Sequence, residues 1–157
     1  MLFSKLRKKC LKKSEYKNVC DNLNAICKCL NTIYSVNSGG CCYMAYIIAE
    51  ILNKEGIEYS VILESDNNDL ADSFSDIDDS VYHVCIKVTQ GDDIYIINEI
   101  SDSIEGYEYE NVSPKELLDY YNKGHWNWTY QVVKNKFIKY VVNLIYDNFS
   151  SSLREER

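Results

Sequence analysis

The chain has 157 residues, of which 46% are hydrophobic and 26% charged, and its net charge at pH 7 is -7. A chain of this length can bury about two-thirds of its unfolded surface, enough for one globular domain with a core. The 14 tyrosines argue against disorder, and no apolar run is long enough to predict a membrane span. The acidic balance disfavours general binding to a nucleic-acid backbone.

The cysteine pattern and the basic N-terminus predict a cytoplasmic protein. Seven cysteines in unrelated spacings, with only two histidines, favour reduced thiols over a disulfide framework or a zinc site, and no cofactor or metal is predicted. Lysines stand where the apolar core of a signal peptide would follow. The basic segment 5–13 is either a solvated helix face or a contact for an anionic partner.

Two helices are predicted in the first third of the chain. Apolar side chains recur every three or four residues between positions 19 and 33, which is typical of an amphipathic helix. After two glycines, a largely buried helix is expected from Cys41 to about Lys54, and Gly56 is expected to end it.

Three strands are expected next. The stretch 58–64 is rich in β-branched residues, and the stretches 81–88 and 94–100 flank a turn that contains Gly91, so they predict a hairpin. The acidic stretch 64–79 is expected to be a long surface loop because it is polar and acidic. It lacks the turn glycine of an EF-hand loop, so calcium binding is not predicted there.

A third helix has the clearest boundaries. Ser113 is the predicted N-cap, Pro114 the first helical residue, Glu116 the partner in a capping box, and Gly124 the stop. The alternating aromatic residues that follow predict a strand, and the sequence leaves helix and strand open for the rest of the tail.

These elements predict one α+β domain over residues 1–157. An N-terminal basic and amphipathic helical region is assigned to residues 1–36. The motifs that carry chemistry lie in residues 37–100, and residues 101–157 form a C-terminal region of helix and strand.

Cys41 is the candidate nucleophile. A cysteine at a helix N-terminus lies among unpaired amide N–H groups, so we expect its thiolate to be stabilised and its pKa to be low. Gly39 and Gly40 leave room for a sharp turn and a substrate. A buried structural cysteine is the alternative, and Cys42 is assigned to packing because one helical step turns it away from Cys41.

A thiol nucleophile needs a base and an orienting group. In a hairpin closed near Gly91, the intervals 91 − 83 = 8 and 98 − 91 = 7 are expected to put Asn98 beside His83 across the ladder. Cys41, His83 and Asn98 are therefore the predicted catalytic residues, within hydrogen-bonding reach of one another. His125 is the rival base, although it directly follows a helix stop.

The spacing of these residues carries a resemblance. A Gly-x-Cys opens a helix, an alanine follows four residues on, a Gly-Ile pair ends the helix, and a histidine precedes a polar residue by fifteen positions. The residues are Gly39, Cys41, Ala45, Gly56, Ile57, His83 and Asn98. This set resembles the core of the transglutaminase-like superfamily of papain-fold cysteine enzymes. Asn98 stands where that family usually has aspartate, and the small residue and tryptophan that usually follow the histidine are missing.

The resemblance implies a papain-like, transglutaminase-core fold in which the nucleophile helix packs on an antiparallel sheet. It also implies an enzyme that cleaves or transfers an acyl group at an amide or isopeptide bond of a protein or peptide, through a cysteine thioester. A catalytically inactive module of the same fold, acting as a small intracellular effector or inhibitor, is the alternative. The richness in Asn, Ile, Lys and Tyr suggests an AT-rich bacterial or viral genome.

Overall fold

The structure, a computed structural model, describes residues 13–34, 37, 39–65, 69–77, 83–99, 106–123 and 140. Its elements in chain order are α1 (Lys13–Tyr34), α2 (Cys41–Glu55), β1 (Ser60–Glu64), a short 3-10 helix (Phe74–Asp76), β2 (His83–Gln90), β3 (Asp93–Ile97), β4 (Tyr107–Glu110) and α3 (Pro114–Lys123). The predicted helix stop at Gly124, His125 and the aromatic strand after it lie outside the described residues.

The four strands form one antiparallel sheet in the order β3-β2-β1-β4. Gly91 adopts the left-handed conformation at φ 58° in the turn between β2 and β3, so the predicted hairpin is confirmed. Helix α2 packs against β2 and α3, and α1 packs against β3. The prediction of an α+β fold with helices on an antiparallel sheet is therefore confirmed.

Helix α2 begins and ends where the sequence predicts. It starts at Cys41, and Gly56 follows its last residue in the left-handed conformation at φ 72°. The N–H of Gly56 donates to the carbonyl of Asn53 at 3.1 Å, and that of Ile57 donates to Leu52 at 2.9 Å. These bonds satisfy carbonyls that the end of a helix would leave unpaired.

The predicted capping box of α3 is also present. The Ser113 N–H donates to Glu116 Oε2 at 2.8 Å, and the Glu116 N–H donates to Ser113 Oγ at 3.2 Å. The two residues therefore satisfy each other's backbone donors at the helix start. The carbonyl of Ser113 accepts the first bond of the helix, from Leu117, at 3.2 Å.

The acidic stretch is not simply a surface loop, and this expectation is corrected. Within its described part, Leu70, Phe74 and Ile77 are buried in the core. The ring of Phe74 lies 5.8 Å from that of Tyr109 and 5.4 Å from that of Tyr120. Apolar residues between the carboxylates tie this segment to β4 and α3, because their burial outweighs the acidic character of the stretch.

Strand β4 was not predicted, although its sequence carries a strand signal. The segment Tyr107–Glu110 alternates tyrosine with glutamate, and it pairs with β1 so that Tyr109 is buried while Glu108 and Glu110 are exposed. This is the period-two alternation of a half-buried strand, in a segment only four residues long.

None of the three described helices has the length and the apolar character that a bilayer span requires. The six cysteines among the described residues form no disulfide bond with one another; they are Cys20, Cys27, Cys29, Cys41, Cys42 and Cys85.

Candidate functional site

Cys41 occupies the first position of α2, after two glycines. Gly39 has φ 102°, which an L side chain rarely adopts, and Gly40 is the N-cap residue with no side-chain hydrogen bond to the helix. The first amides of α2 therefore have no capping side chain. The backbone N–H groups of Val84, Cys42 and Cys41 itself face the Cys41 sulfur and lower its pKa.

Burial outweighs these amides. The side chain of Cys41 is 0% exposed, and the loss of solvation raises the pKa of its thiol to about 11. The expectation of a low pKa at this helix start is therefore wrong for this conformation. A sulfur without access to water loses more stabilisation of its thiolate than three amide dipoles return.

Cys42 faces α3 rather than the β2 backbone that Cys41 contacts, as one step of helical rotation predicts. Its Sγ donates to the carbonyl of Leu117 in α3 at 3.5 Å, and the residue is fully buried. Burial raises the pKa of its thiol well above the ordinary value. Its assignment to packing is confirmed.

His83 is the first residue of β2 and is 1% exposed. Its Nε2 lies 2.5 Å from the backbone carbonyl oxygen of Asn98. A carbonyl oxygen only accepts, so Nε2 carries the hydrogen and donates it. In the neutral ring, Nδ1 then holds the lone pair, and this buried atom has no hydrogen-bond partner among the described residues.

The surroundings of His83 favour its neutral form. Burial lowers the pKa of the ring below its ordinary value, and the hydrogen bond to Asn98 and the nearby charge of Glu64 oppose this only in part. Glu64 is the residue that pairs with His83 across β1 and β2. At neutral pH the ring is therefore an uncharged base.

The register of the hairpin differs from the predicted one. Ile86 pairs with Ile97, and Gln90 pairs with Asp93, so the position opposite Asn98 is that of Cys85 rather than His83. The turn has two residues, Gly91 and Asp92, and the axis of the hairpin passes between them instead of through Gly91. Asn98 is a diagonal neighbour of His83, and it lies one residue past the end of β3.

Asn98 contacts His83 through its backbone, and its side chain points elsewhere. The residue is 4% exposed and left-handed at φ 68°. Its side-chain amide forms two hydrogen bonds with the amide of Asn37: Asn98 Nδ2 donates at 2.9 Å and Asn37 Nδ2 donates at 3.1 Å. The predicted role of the Asn98 side chain as orienter of the ring is thus corrected, and the carbonyl oxygen of the same residue orients it.

Cys41 and His83 are brought to the same end of β2. The N–H that faces the Cys41 sulfur belongs to Val84, so it is part of the peptide group that follows His83. The expected hydrogen bond between the thiol and the ring is not formed, because Nδ1 has no partner among the described residues. Both side chains are closed off from solvent in this conformation.

Sequence reasoning missed the residues that hold Asn98. The Asn98 N–H donates to Oδ1 of Asn24 in α1 at 3.2 Å, and the Asn37 N–H donates to Oδ1 of Asn31 at 3.0 Å. Asn24 and Asn31 are seven residues apart and therefore share one face of α1. Two asparagines at this interval, beside the buried apolar stripe of α1, were the sequence signal that could have indicated a polar contact on this face.

A cavity of about 590 Å³ lies at the other end of α2. Its lining includes Gly56, Ser60, Lys87 and Glu108, and it contains neither Cys41 nor His83. Lys87 Nζ lies 2.8 Å from Glu108 Oε2, so the cation and the carboxylate in the cavity neutralise each other. This arrangement favours no particular ligand.

Among the residues that the structure covers, no group of three or more His, Cys, Asp or Glu side chains is placed to hold a metal ion. Comparison of the chain with family models, with curated proteins and with solved structures found no match.

Proposed function

We propose that the chain is a transglutaminase-like cysteine enzyme of papain-like fold that hydrolyses an amide or isopeptide bond in a protein or peptide, in the reducing cytoplasm. The observation that supports this most directly is the state of His83. Its Nε2–H is engaged by the Asn98 carbonyl, which leaves a buried lone pair on Nδ1 with no partner among the described residues. An unpartnered basic nitrogen at the same strand end as a helix-start thiol fits a general base.

In the proposed reaction, Nδ1 of His83 takes the proton from Cys41 Sγ while the sulfur attacks the carbonyl carbon of the substrate. The imidazolium then returns that proton to the amine nitrogen as the C–N bond breaks, which leaves a thioester on Cys41. Water attacks the thioester, His83 accepts a proton from the water, and this proton restores the thiol as the carboxylic acid leaves. The carbonyl of Asn98 keeps the ring oriented throughout.

The resting pair in this proposal is a neutral thiol and a neutral imidazole. Burial raises the pKa of Cys41 to about 11 and lowers the pKa of His83, and both shifts oppose a thiolate–imidazolium pair. The thiolate then forms only as the sulfur attacks, and the amides of Val84 and Cys42 that face the sulfur stabilise the charge as it develops.

The burial of both side chains favours a second candidate function. A cysteine that is 0% exposed beside a histidine that is 1% exposed also suits a catalytically inactive module that acts by occupying a partner. The two candidates differ in whether a carbonyl compound reaches Cys41.

Acyl transfer to Cys41 tests the proposal. The full chain is incubated with p-nitrophenyl acetate, and the acylated cysteine is identified by peptide mapping. We expect an acyl adduct on Cys41 that is absent in Cys41→Ala and forms at least about tenfold more slowly in His83→Gln. Cys42→Ala is the matched control, because it removes the neighbouring buried thiol and is expected to leave the adduct in place.

An adduct confined to exposed Cys29 in a folded protein would support the inactive module and overturn the enzyme proposal. Equal acylation of Cys41 in the wild type and in His83→Gln would remove His83 from the mechanism. Hydrolysis of a peptide library by the wild type, and its loss in Cys41→Ala, would extend the result from an ester to amide bonds.

A further inference from the structure

We propose that Asn24 and Asn37 are positioning residues that hold Asn98 so that its backbone carbonyl keeps the His83 ring in one orientation and one tautomer. The importance of this positioning for catalysis rests on the proposed function. The positioning itself is argued from hydrogen bonds alone. It makes α1, predicted to lie outside the catalytic core, a part of the site.

Every kind of polar group on Asn98 has a partner. Its N–H donates to Asn24 Oδ1, its side-chain oxygen and nitrogen pair with the amide of Asn37, and its carbonyl oxygen accepts from His83 Nε2. A residue held at its nitrogen, at its side chain and at its oxygen has little freedom to rotate its peptide group. The direction of the carbonyl is therefore determined by Asn24 and Asn37.

The conformation of Asn98 needs this support. Its φ of 68° places it in the left-handed region just after β3 ends, which asparagine tolerates better than most residues. The next peptide group lies beyond the ladder, so no pairing with β2 orients it. The bonds from Asn24 and Asn37 replace the ladder at the point where the chain contacts His83.

Asn37 is itself anchored to α1, because its N–H donates to Asn31 Oδ1. Asn24 and Asn31 thus hold two separate parts of the network from one face of the same helix. Asn37 lies four residues before Cys41, so the network links the segment that leads to the nucleophile helix with the residue that orients the base.

The test reads the ring of His83 directly by NMR on the full-length protein at about pH 7, where the ring is neutral. In the wild type, ¹⁵N shifts are expected to show a hydrogen on Nε2 and none on Nδ1. In Asn24→Leu, which removes the acceptor for the Asn98 N–H, solvent exchange of the Nε2–H is expected to be at least about tenfold faster.

Two controls separate positioning from general destabilisation. Asn24→Asp keeps an acceptor oxygen and is expected to restore slow exchange, and Asn22→Leu places the same new side chain on the exposed face of α1. The backbone amide of Val88, in the core of β2, is the internal reference. Its exchange is expected to stay within about twofold of the wild type in all variants.

A wild-type ring that carries its hydrogen on Nδ1 would overturn the inference without any variant. So would Asn24→Leu with unchanged exchange of the ring N–H, or with equal acceleration of the ring N–H and the Val88 amide. If Asn24→Leu does not fold, Asn37→Ala is judged by the same criteria. Acylation of Cys41 is measured separately. If the NMR results on the His83 ring are as expected but no acyl adduct forms on Cys41, only the proposed function is rejected.

Discussion

The backbone N–H of Val84 faces the sulfur of Cys41, which places the first residue of α2 against the peptide group that follows His83. One contact therefore joins the start of a helix to the start of a strand more than forty residues later. The hydrogen bond from Val84 lowers the pKa of the thiol, but the burial of the sulfur raises it by more, to about 11. The amides that would activate an exposed cysteine at a helix start are therefore outweighed here by burial.

The rate at which iodoacetamide alkylates Cys41 is expected to keep rising with pH above neutral, without reaching a plateau. Because the pKa of the thiol is raised to about 11, the thiolate fraction increases about tenfold per pH unit from about pH 7 to about pH 10. Peptide mapping after timed labelling measures this rate, and Cys41→Ser identifies its contribution. A rate that is already constant at about pH 7 would show that the thiolate is stabilised in solution.

His83 is expected to make the fold less stable in acid. Its pKa in the folded state is lowered from the ordinary 6.5, so the unfolded chain binds the proton more readily. The stabilisation is complete above pH 6.5 and is lost as the pH falls from 6.5 through the folded pKa, by at most about 1.4 kcal/mol per pH unit. Urea unfolding at about pH 7 and about pH 5.5 measures the loss.

The control for this prediction is His83→Gln, which cannot titrate. Its stability is expected to change less over the same interval, because most carboxylates titrate at lower pH. Identical losses in the two proteins would assign the acid sensitivity to other groups.

Ser113→Ala is expected to lower the free energy of unfolding by about 1 kcal/mol. The substitution removes the hydroxyl that accepts from the Glu116 N–H at 3.2 Å, and a donor at the start of α3 loses its partner. Lys115→Ala on the same helix breaks only an exposed ion pair with Asp119 and is expected to change stability by less than about 0.5 kcal/mol. Urea denaturation of the wild type, Ser113→Ala and Lys115→Ala measures these changes. An equal loss of unfolding free energy in both variants would show that the capping box does not stabilise α3 more than the exposed ion pair does.

Gly106→Ala is expected to destabilise the fold by about 1–3 kcal/mol. A Cβ at this position would lie 2.7 Å from Ile62 Cγ2 and 2.7 Å from the backbone oxygen of Leu63. The oxygen belongs to β1 and cannot move without disturbing the sheet, so β4 must shift away. Glu110→Ala, at an exposed site in β4, is the control. Thermal unfolding of Gly106→Ala that matches the wild type would show that β1 and β4 separate readily.

The sequence by itself determined the features that depend on a few neighbouring residues. The start of α2 after two glycines, its end at Gly56 and the capping box of Ser113 and Glu116 each involve groups within one helical turn. The hairpin between β2 and β3 was likewise predictable from two β-rich stretches around Gly91. The nearness of His83 and Asn98 followed from this hairpin.

Only the tertiary structure decided how these residues interact. The two-residue turn shifted the register, and Asn98 came to face His83 with its carbonyl because Asn24 and Asn37 engage the rest of the residue. The pKa of Cys41 was decided in the same way. Local sequence sets the amide dipoles around the sulfur, but desolvation depends on segments that are distant along the chain and pack over it, and in this fold desolvation is the larger effect.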